Sequence, residues 1–225
     1  MFYVNLGLIF VAGLDLGLAL LIWWRNPKDK INISLALSIF FLATWTLGVA
    51  MFRESKTELS ALIWTWVQNG SGSLVVIPFF FLSLYFPYQN RILKKWQVIL
   101  VALSVIVILL VVIISNAWVQ EIRLSPSNND YRINFWGVAY FNLHLYAYLI
   151  LAFYNLLKKY FISTGFTRIQ LTVLLFAGGI IALFGGIFGA VIPLMILNSA
   201  GPYWIGPFFS LPMILILIWF MYKND

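Results

Sequence analysis

The chain has 225 residues, 63% of them hydrophobic and 9% charged, with a mean hydropathy of +0.95. Soluble domains are typically about 45–50% apolar and about 25% charged, so an ordinary cytosolic enzyme and a disordered chain are both excluded. The formal net charge is +7, with no cysteine and a single histidine, His144. Disulfides, thiolate metal sites and any centre needing several imidazoles are therefore ruled out.

Apolar runs fall at about 2–24, 31–52, 61–86, 96–118, 138–157, 169–195 and 205–222. Each is long enough to cross the ~30 Å hydrocarbon layer as a helix, the last of them barely. The expected architecture is an all-α, seven-transmembrane helix bundle forming one domain, residues 1–225, with no internal repeat. Segment one is too long and lacks the basic leader of a signal peptide, so it is expected to be retained. Basic residues alternate between the connections. Arg25, Lys28, Lys30, Arg91, Lys94, Lys95, Lys158, Lys159, Arg168 and Lys223 flank one side, and Arg53, Lys56, Arg123 and Arg132 the other. Basic loops stay cytoplasmic, which predicts the N-terminus outside, the C-terminus inside and a multi-pass location in the cytoplasmic membrane. On the outer side Glu54, Glu58, Glu121 and Asp130 balance the four bases. The high charge is thus topological, and no nucleic-acid partner is implied.

Segment one carries Asp15, a carboxyl at membrane depth, where a charged Asp costs roughly 2.5–3.5 kcal/mol. It is expected to be protonated or hydrogen-bonded inside the bundle, either as a ligand or proton site or as a packing contact. Gly13 and Gly17 form a weak small-residue face beside it. Segment three contains QNGSGS at 68–73, which predicts either a helix break lining a cavity or close packing through small residues. The longest loop, about 119–137, is polar, turn-rich and outside. Segment five places His144 beside Asn142. Segment six repeats small residues at Gly178, Ala182, Gly186 and Ala190, one helical face suited to close approach. Segment seven holds Ser210 between Pro207 and Pro212, which predicts a kink. Trp23, Trp24, Trp96, Trp118, Trp204, Trp219 and Tyr222 lie near segment ends, where aromatic rings favour the membrane interface.

Familiar seven-helix chemistries lack their residues here. A retinal protein needs a lysine inside the bundle, and every lysine is placed in a connection or tail. The triplets of rhodopsin-like receptors are absent. One histidine supplies neither a zinc hydrolase nor paired haem ligands, and there is no phosphate loop or nucleophile elbow. The protein is read as a non-enzyme without cofactor or metal. Counted inward at ~1.5 Å per residue, Gln68, Asn69, His144 and Ser210 share the outer half of the bundle, with Asp15 and Ser73 deeper. The inner ends of segments three and seven are apolar. This predicts a ligand pocket open to the outside, formed by Gln68, Asn69 and His144 with Asn142, Ser210 and Asp15 nearby, for a small, partly apolar molecule.

Over about residues 31–222 the chain resembles the N-terminal seven-helix sensor region of bacterial histidine kinases. The residues that carry the resemblance are Asn32 and Trp45 in segment two, Trp64 and Pro78-Phe79-Phe80-Phe81 in segment three, and Gly137 with Tyr140 before segment five. Arg168 and Gln170 at the start of segment six and Gly206-Pro207 at the start of segment seven complete the set. The resemblance implies a sensory module whose last helix signals to a cytoplasmic effector, a kinase or cyclase. These residues include no phosphoacceptor histidine and no ATP-binding domain, so the effector is expected as a separate chain or a further C-terminal part. A homodimer stays open. The alternatives are a small proton-coupled transporter using Asp15 and a structural membrane subunit without a ligand.

Overall fold

Local chemistry explains where the helices begin and end in the computed structural model, which describes residues 2–87, 93–114, 117–125, 129–185, 187, 191 and 203–212. Helix α1 (Phe2–Arg25) stops before Asn26-Pro27, since proline disfavours helical backbone in the residue before it. Helix α2 (Lys30–Glu54) is capped by Asp29, whose carboxylate accepts from Ile31 N at 3.3 Å. Helix α3 (Glu58–Leu74) is capped by the Thr57 hydroxyl on Ser60 N at 3.2 Å. Each cap satisfies one of the backbone donors that a helix start leaves unpaired.

Segment three is two helices, α3 and α4 (Val76–Tyr85), but the break is not at 68–73. Those residues stay helical, and the two helices join at Val75, whose own N–H still bonds the Ser71 carbonyl at 3.1 Å. Pro78 accounts for this: it has no N–H to give the carbonyl of Leu74, four residues earlier, and its ring crowds that turn. The glycine- and serine-rich stretch serves close packing instead. A Cβ on Gly48 of α2 would stand 2.8–2.9 Å from the Cβ, Cα and N of Gln68.

Segment four, helix α5 (Lys95–Ile113), ends before the expected 118. The chain leaves the helix to enter strand β1 (Val119–Arg123), which pairs antiparallel with β2 (Asp130–Ile133). Val119 lies opposite Ile133, Ile122 opposite Tyr131 and Arg123 opposite Asp130, with an irregularity between Val119 and Glu121. The long polar loop thus contains a β-hairpin. Trp118, expected at the membrane interface, is fully buried under it, 5.1 Å from the Phe141 ring. Trp23, Trp24 and Trp96 are exposed, as interfacial rings should be.

Helix α6 (Phe135–Ile162) is longer than segment five at both ends. Asn134 caps it by accepting from Trp136 N at 2.9 Å. A Cβ on Gly137 would lie 2.1 Å from the Ala117 carbonyl, so only glycine lets this helix pass the root of the hairpin. Lys158 and Lys159, assigned to a connection, belong to α6. The Lys159 ammonium donates to the carbonyls of Ser83, Leu84 and Phe86 and so closes the end of α4. A cation at a helix C-terminus also meets the negative end of its dipole.

Helix α7 (Gly165–Ile180) opens on Gly165, whose φ of +58° is the left-handed turn that glycine adopts freely. It runs into a π-helical turn, Ile181–Gly185. Segment seven begins with a 3-10 turn, Tyr203–Phe209, that contains Pro207. The expected stretches at 186, 188–190, 192–195 and 213–222, with Gly186, Ala190, Trp219 and Tyr222, lie outside the described residues. Among the described residues six helical stretches are long and apolar enough to cross a membrane: Tyr3–Arg25, Lys30–Glu54, Glu58–Tyr85, Lys95–Ile113, Phe135–Ile162 and Gly165–Gly185.

Helix α2 is the hub, packing against α1, α3, α4 and the 3-10 turn. Helix α1 meets it through Leu8, Val11, Ala12, Leu18, Ala19 and Ile22, all buried. Asp15 falls on the same 3–4-residue stripe. Gly13 and Gly17 lie on the exposed side, and a Cβ added at either would have nothing within 4 Å, so the expected small-residue face of α1 packs against none of the described residues. Helix α5 is peripheral, with only Ile108 and Val112 buried.

Candidate functional site

The six polar residues expected to share one pocket occupy three places. At the hairpin end, Gln68 and Asn69 point inward from α3 and donate to the Tyr131 hydroxyl at 3.1 and 3.2 Å. Asn69 also donates to the Thr65 carbonyl at 2.8 Å and accepts from the Tyr203 hydroxyl at 3.2 Å. Tyr131 stacks edge-on to Phe52 with ring centroids 5.3 Å apart. Burial pushes its phenol well above the ordinary tyrosine value, so the hydroxyl keeps its proton at physiological pH. This cell joins the hairpin, α3 and the head of segment seven through buried side chains alone.

A second layer seals the same end. Asn129 donates from its amide to the carbonyls of Phe52 and Ser55 at 2.9 and 2.7 Å, adding a donor at the end of α2, where Phe52 also accepts from Ser55 N. Arg53 donates from Nε to Asn5 Oδ1 at 2.8 Å and lies 5.7 Å from the Trp204 ring centroid. Asn5 in turn donates to the Glu54 carboxylate. Gln68, Arg53, Asn129, Tyr203 and Trp204 surround a small space of about 200 Å³.

Asp15 and Ser210 form the second place. The Ser210 hydroxyl donates to Asp15 Oδ2 at 3.1 Å, and Asp15 Oδ1 is buried without a partner among the described residues. That bond ties segment seven to α1. His144 and Asn142 form the third, on α6. His144 sits against Tyr148 at 5.0 Å, and the Tyr148 hydroxyl bonds Ser104 Oγ at 2.6 Å. Asn142 donates to the Val138 carbonyl of its own helix at 3.0 Å. His144 Nε2 and Asn142 Oδ1 are buried and unpartnered among the described residues.

A further internal space is walled by none of the six. It is a cavity between α2, α3, α4, α6 and α7. Trp45 and Tyr203 stand at the end nearer the hairpin, and Leu35 and Leu174 at the opposite end. Phe79, Leu145, Leu149 and Ile181 form its sides, with Gly72 and Gly178 where helices come close. A Cβ on Gly178 would meet the Phe79 ring at 2.8 Å, so the small-residue face of segment six does admit a neighbour. Leu35 and Leu174 also border a second space at the other end of the bundle. Its wall includes Arg25, Asn32 and Gln170, so the end away from the hairpin has polar lining from helices other than segments three and seven. Trp45 and Tyr203 were not foreseen as a pair, because they are 158 positions apart and each looks like an ordinary interfacial or core aromatic.

A family model of the N-terminal 7TM region of histidine kinase matches residues 7–225. The chain belongs to that family. The match takes in most of segment one as well as the stretch from 31 onward. No curated protein and no solved structure matches significantly. In this 7TM sensor region four of the motif residues line internal spaces. Trp45 and Phe79 wall the central cavity, and Asn32 and Gln170 wall the second one. Gly137 allows α6 to pass the hairpin, and Arg168 lies over the Tyr160 ring at 4.7 Å. The protein is a multi-pass membrane protein of a sensor-region family.

Proposed function

We propose that this 7TM region is a sensory input module that takes a small, largely apolar ligand into the central cavity and signals through segment seven to a cytoplasmic effector such as a histidine kinase. The observation that carries this reading is the double role of Tyr203. Its ring walls the cavity and its hydroxyl anchors segment seven to Asn69. A ligand that moves the ring therefore acts on the head of the signalling helix. Any such shift is limited by the ligand's differential affinity for the two arrangements. Asp15 and Ser210 act as a second tether of segment seven, while Gln68 and Asn69 hold it to the hairpin. His144 and Asn142 offer unused polar atoms on α6 for a ligand or for water.

With a histidine-kinase catalytic region fused after Asp225, Tyr203→Ala is expected to change basal autophosphorylation in membranes at least several-fold. Tyr203→Phe, which keeps the ring, should change it less. Equal kinase activity in all three would favour a structural subunit. Proton-coupled uptake into vesicles that disappears in Asp15→Asn would favour a transporter.

The proposed orientation places the N-terminus outside and the module in the cytoplasmic membrane. Its support is the loop charge and the grouping of ends: Arg25, Lys159 and Gln170 at one end, Arg53, the hairpin and Tyr203 at the other. Lys56 and Lys28 are exposed on opposite ends of α2. In this cysteine-free chain, Lys56→Cys is expected to react with an impermeant maleimide added to intact cells. Lys28→Cys should react only after the membrane is opened, and the reverse pattern inverts the topology.

A further inference from the structure

We infer that the central cavity selects a slender aliphatic ligand with one hydrogen-bond acceptor, such as an ester carbonyl, which takes the indole N–H of Trp45. This deepens the proposed function and rests on the cavity being the ligand site. Among its described lining residues none is charged, and leucine, isoleucine, valine and phenylalanine side chains make up most of the wall. A charged head would be desolvated there without a counter-ion, so the ligand class is neutral. Leu35 and Trp45 mark the two ends of the space along α2, about 15 Å apart at the helical rise, which suits an extended medium-length chain.

Trp45 sets the polar requirement. It is 8% exposed, and its Nε1 is buried without a hydrogen-bond partner among the described residues. Tyr203 stands edge-on beside it, centroids 5.9 Å apart; its hydroxyl donates to Asn69, and its oxygen, the neighbouring acceptor, is not met by the indole N–H in hydrogen-bond geometry. Ser38, a further polar side chain in the wall, already donates to the Ser34 carbonyl at 3.0 Å. The indole is a donor only, and its complement is therefore an acceptor. Gly72 keeps that edge accessible. A Cβ there would stand 3.5 Å from Cδ1 and 3.7 Å from Nε1 of Trp45, filling the space next to the donor. Buried donors in native proteins nearly always have a partner, and here a ligand would supply it.

The test uses the full chain in lipid nanodiscs and a medium-chain fatty acid methyl ester carrying a diazirine in its chain. Photolysis and peptide mapping should place the label on α6 and α7 around Leu145, Leu149 and Ile181. Unlabelled methyl decanoate should compete about three- to tenfold better than dodecane, the span of one net hydrogen bond. Trp45→Phe should keep the labelling and lose that preference. Gly72→Ala, which leaves the indole in place but crowds its N–H, should lose it too. Labelling of the wall with equal competition by ester and alkane overturns the acceptor inference and leaves the cavity site standing. So does a preference that survives in both variants. Label confined to lipid-facing residues overturns the ligand class and the cavity site together.

Discussion

Tyr131→Ala is expected to detach the hairpin from the bundle and to lower stability by about 3–5 kcal/mol, the usual cost of removing a buried aromatic ring. Tyr131 is fully buried, packs on Phe52 and accepts from both Gln68 and Asn69. Its loss leaves a cavity and takes an acceptor from two buried amides, each a separate penalty. Tyr131→Phe keeps the ring and removes only the hydroxyl, so its cost should be nearer 1–3 kcal/mol. Thermal unfolding in detergent measures the difference. Limited proteolysis adds a local readout, because a detached hairpin is cut faster while the helices remain protected. If Tyr131→Ala unfolds at the wild-type temperature, the hairpin is an ornament and the cell it shares with Tyr203 has no structural weight.

Gly48→Leu should be nearly as damaging by the opposite mechanism. Even a Cβ at 48 would stand within 2.9 Å of Gln68 Cα and N, and a backbone cannot swing aside as a side-chain tip can. Helices α2 and α3 must separate, at a cost of about 1–3 kcal/mol for the overpacking alone and more if the Gln68 and Asn69 bonds break with it. Gly13→Leu is the matched control: the same substitution in a membrane helix, at a position with no described neighbour within 4 Å. Monodisperse yield and unfolding temperature should fall for Gly48→Leu and stay close to wild type for Gly13→Leu. Similar values for the two would mean that the α2–α3 contact tolerates a spacer there.

Asp15 and Gly13 show how far the candidate site was legible in the chain. Both sit in one apolar run, and the sequence alone marks Asp15 as costly at that depth. Which way it faces depends on the α1–α2 contact, where Leu8, Val11, Ala12, Leu18, Ala19 and Ile22 form the buried stripe. The exposed face is just as apolar, with Leu6, Phe10, Leu14 and Leu21. In water a polar face would have given the rotation away. In a membrane, lipid is as apolar as leucine, and that signal vanishes. The same loss hid Gly13 and Gly17, which look like a packing face and meet no described neighbour.

Crossing the membrane many times was determined by the sequence by itself, because transfer of an apolar helix into hydrocarbon depends on the segment alone. The family was legible too, since its aromatic, glycine and proline positions are spaced along the chain and need no contact to be read. Helix boundaries at Pro27, Asp29 and Thr57 follow from caps and breakers that act within a few residues. Everything that makes the site required the tertiary structure. Tyr131 meets Asn69 across 62 positions and Tyr203 meets it across 134, and nothing local distinguishes those tyrosines from interfacial ones. The break of segment three moved from the glycines to Val75 because a missing proline N–H outweighs a weak helix propensity. The central cavity is walled by α2, α3, α4, α6 and α7 together, a coincidence of faces that no single segment encodes.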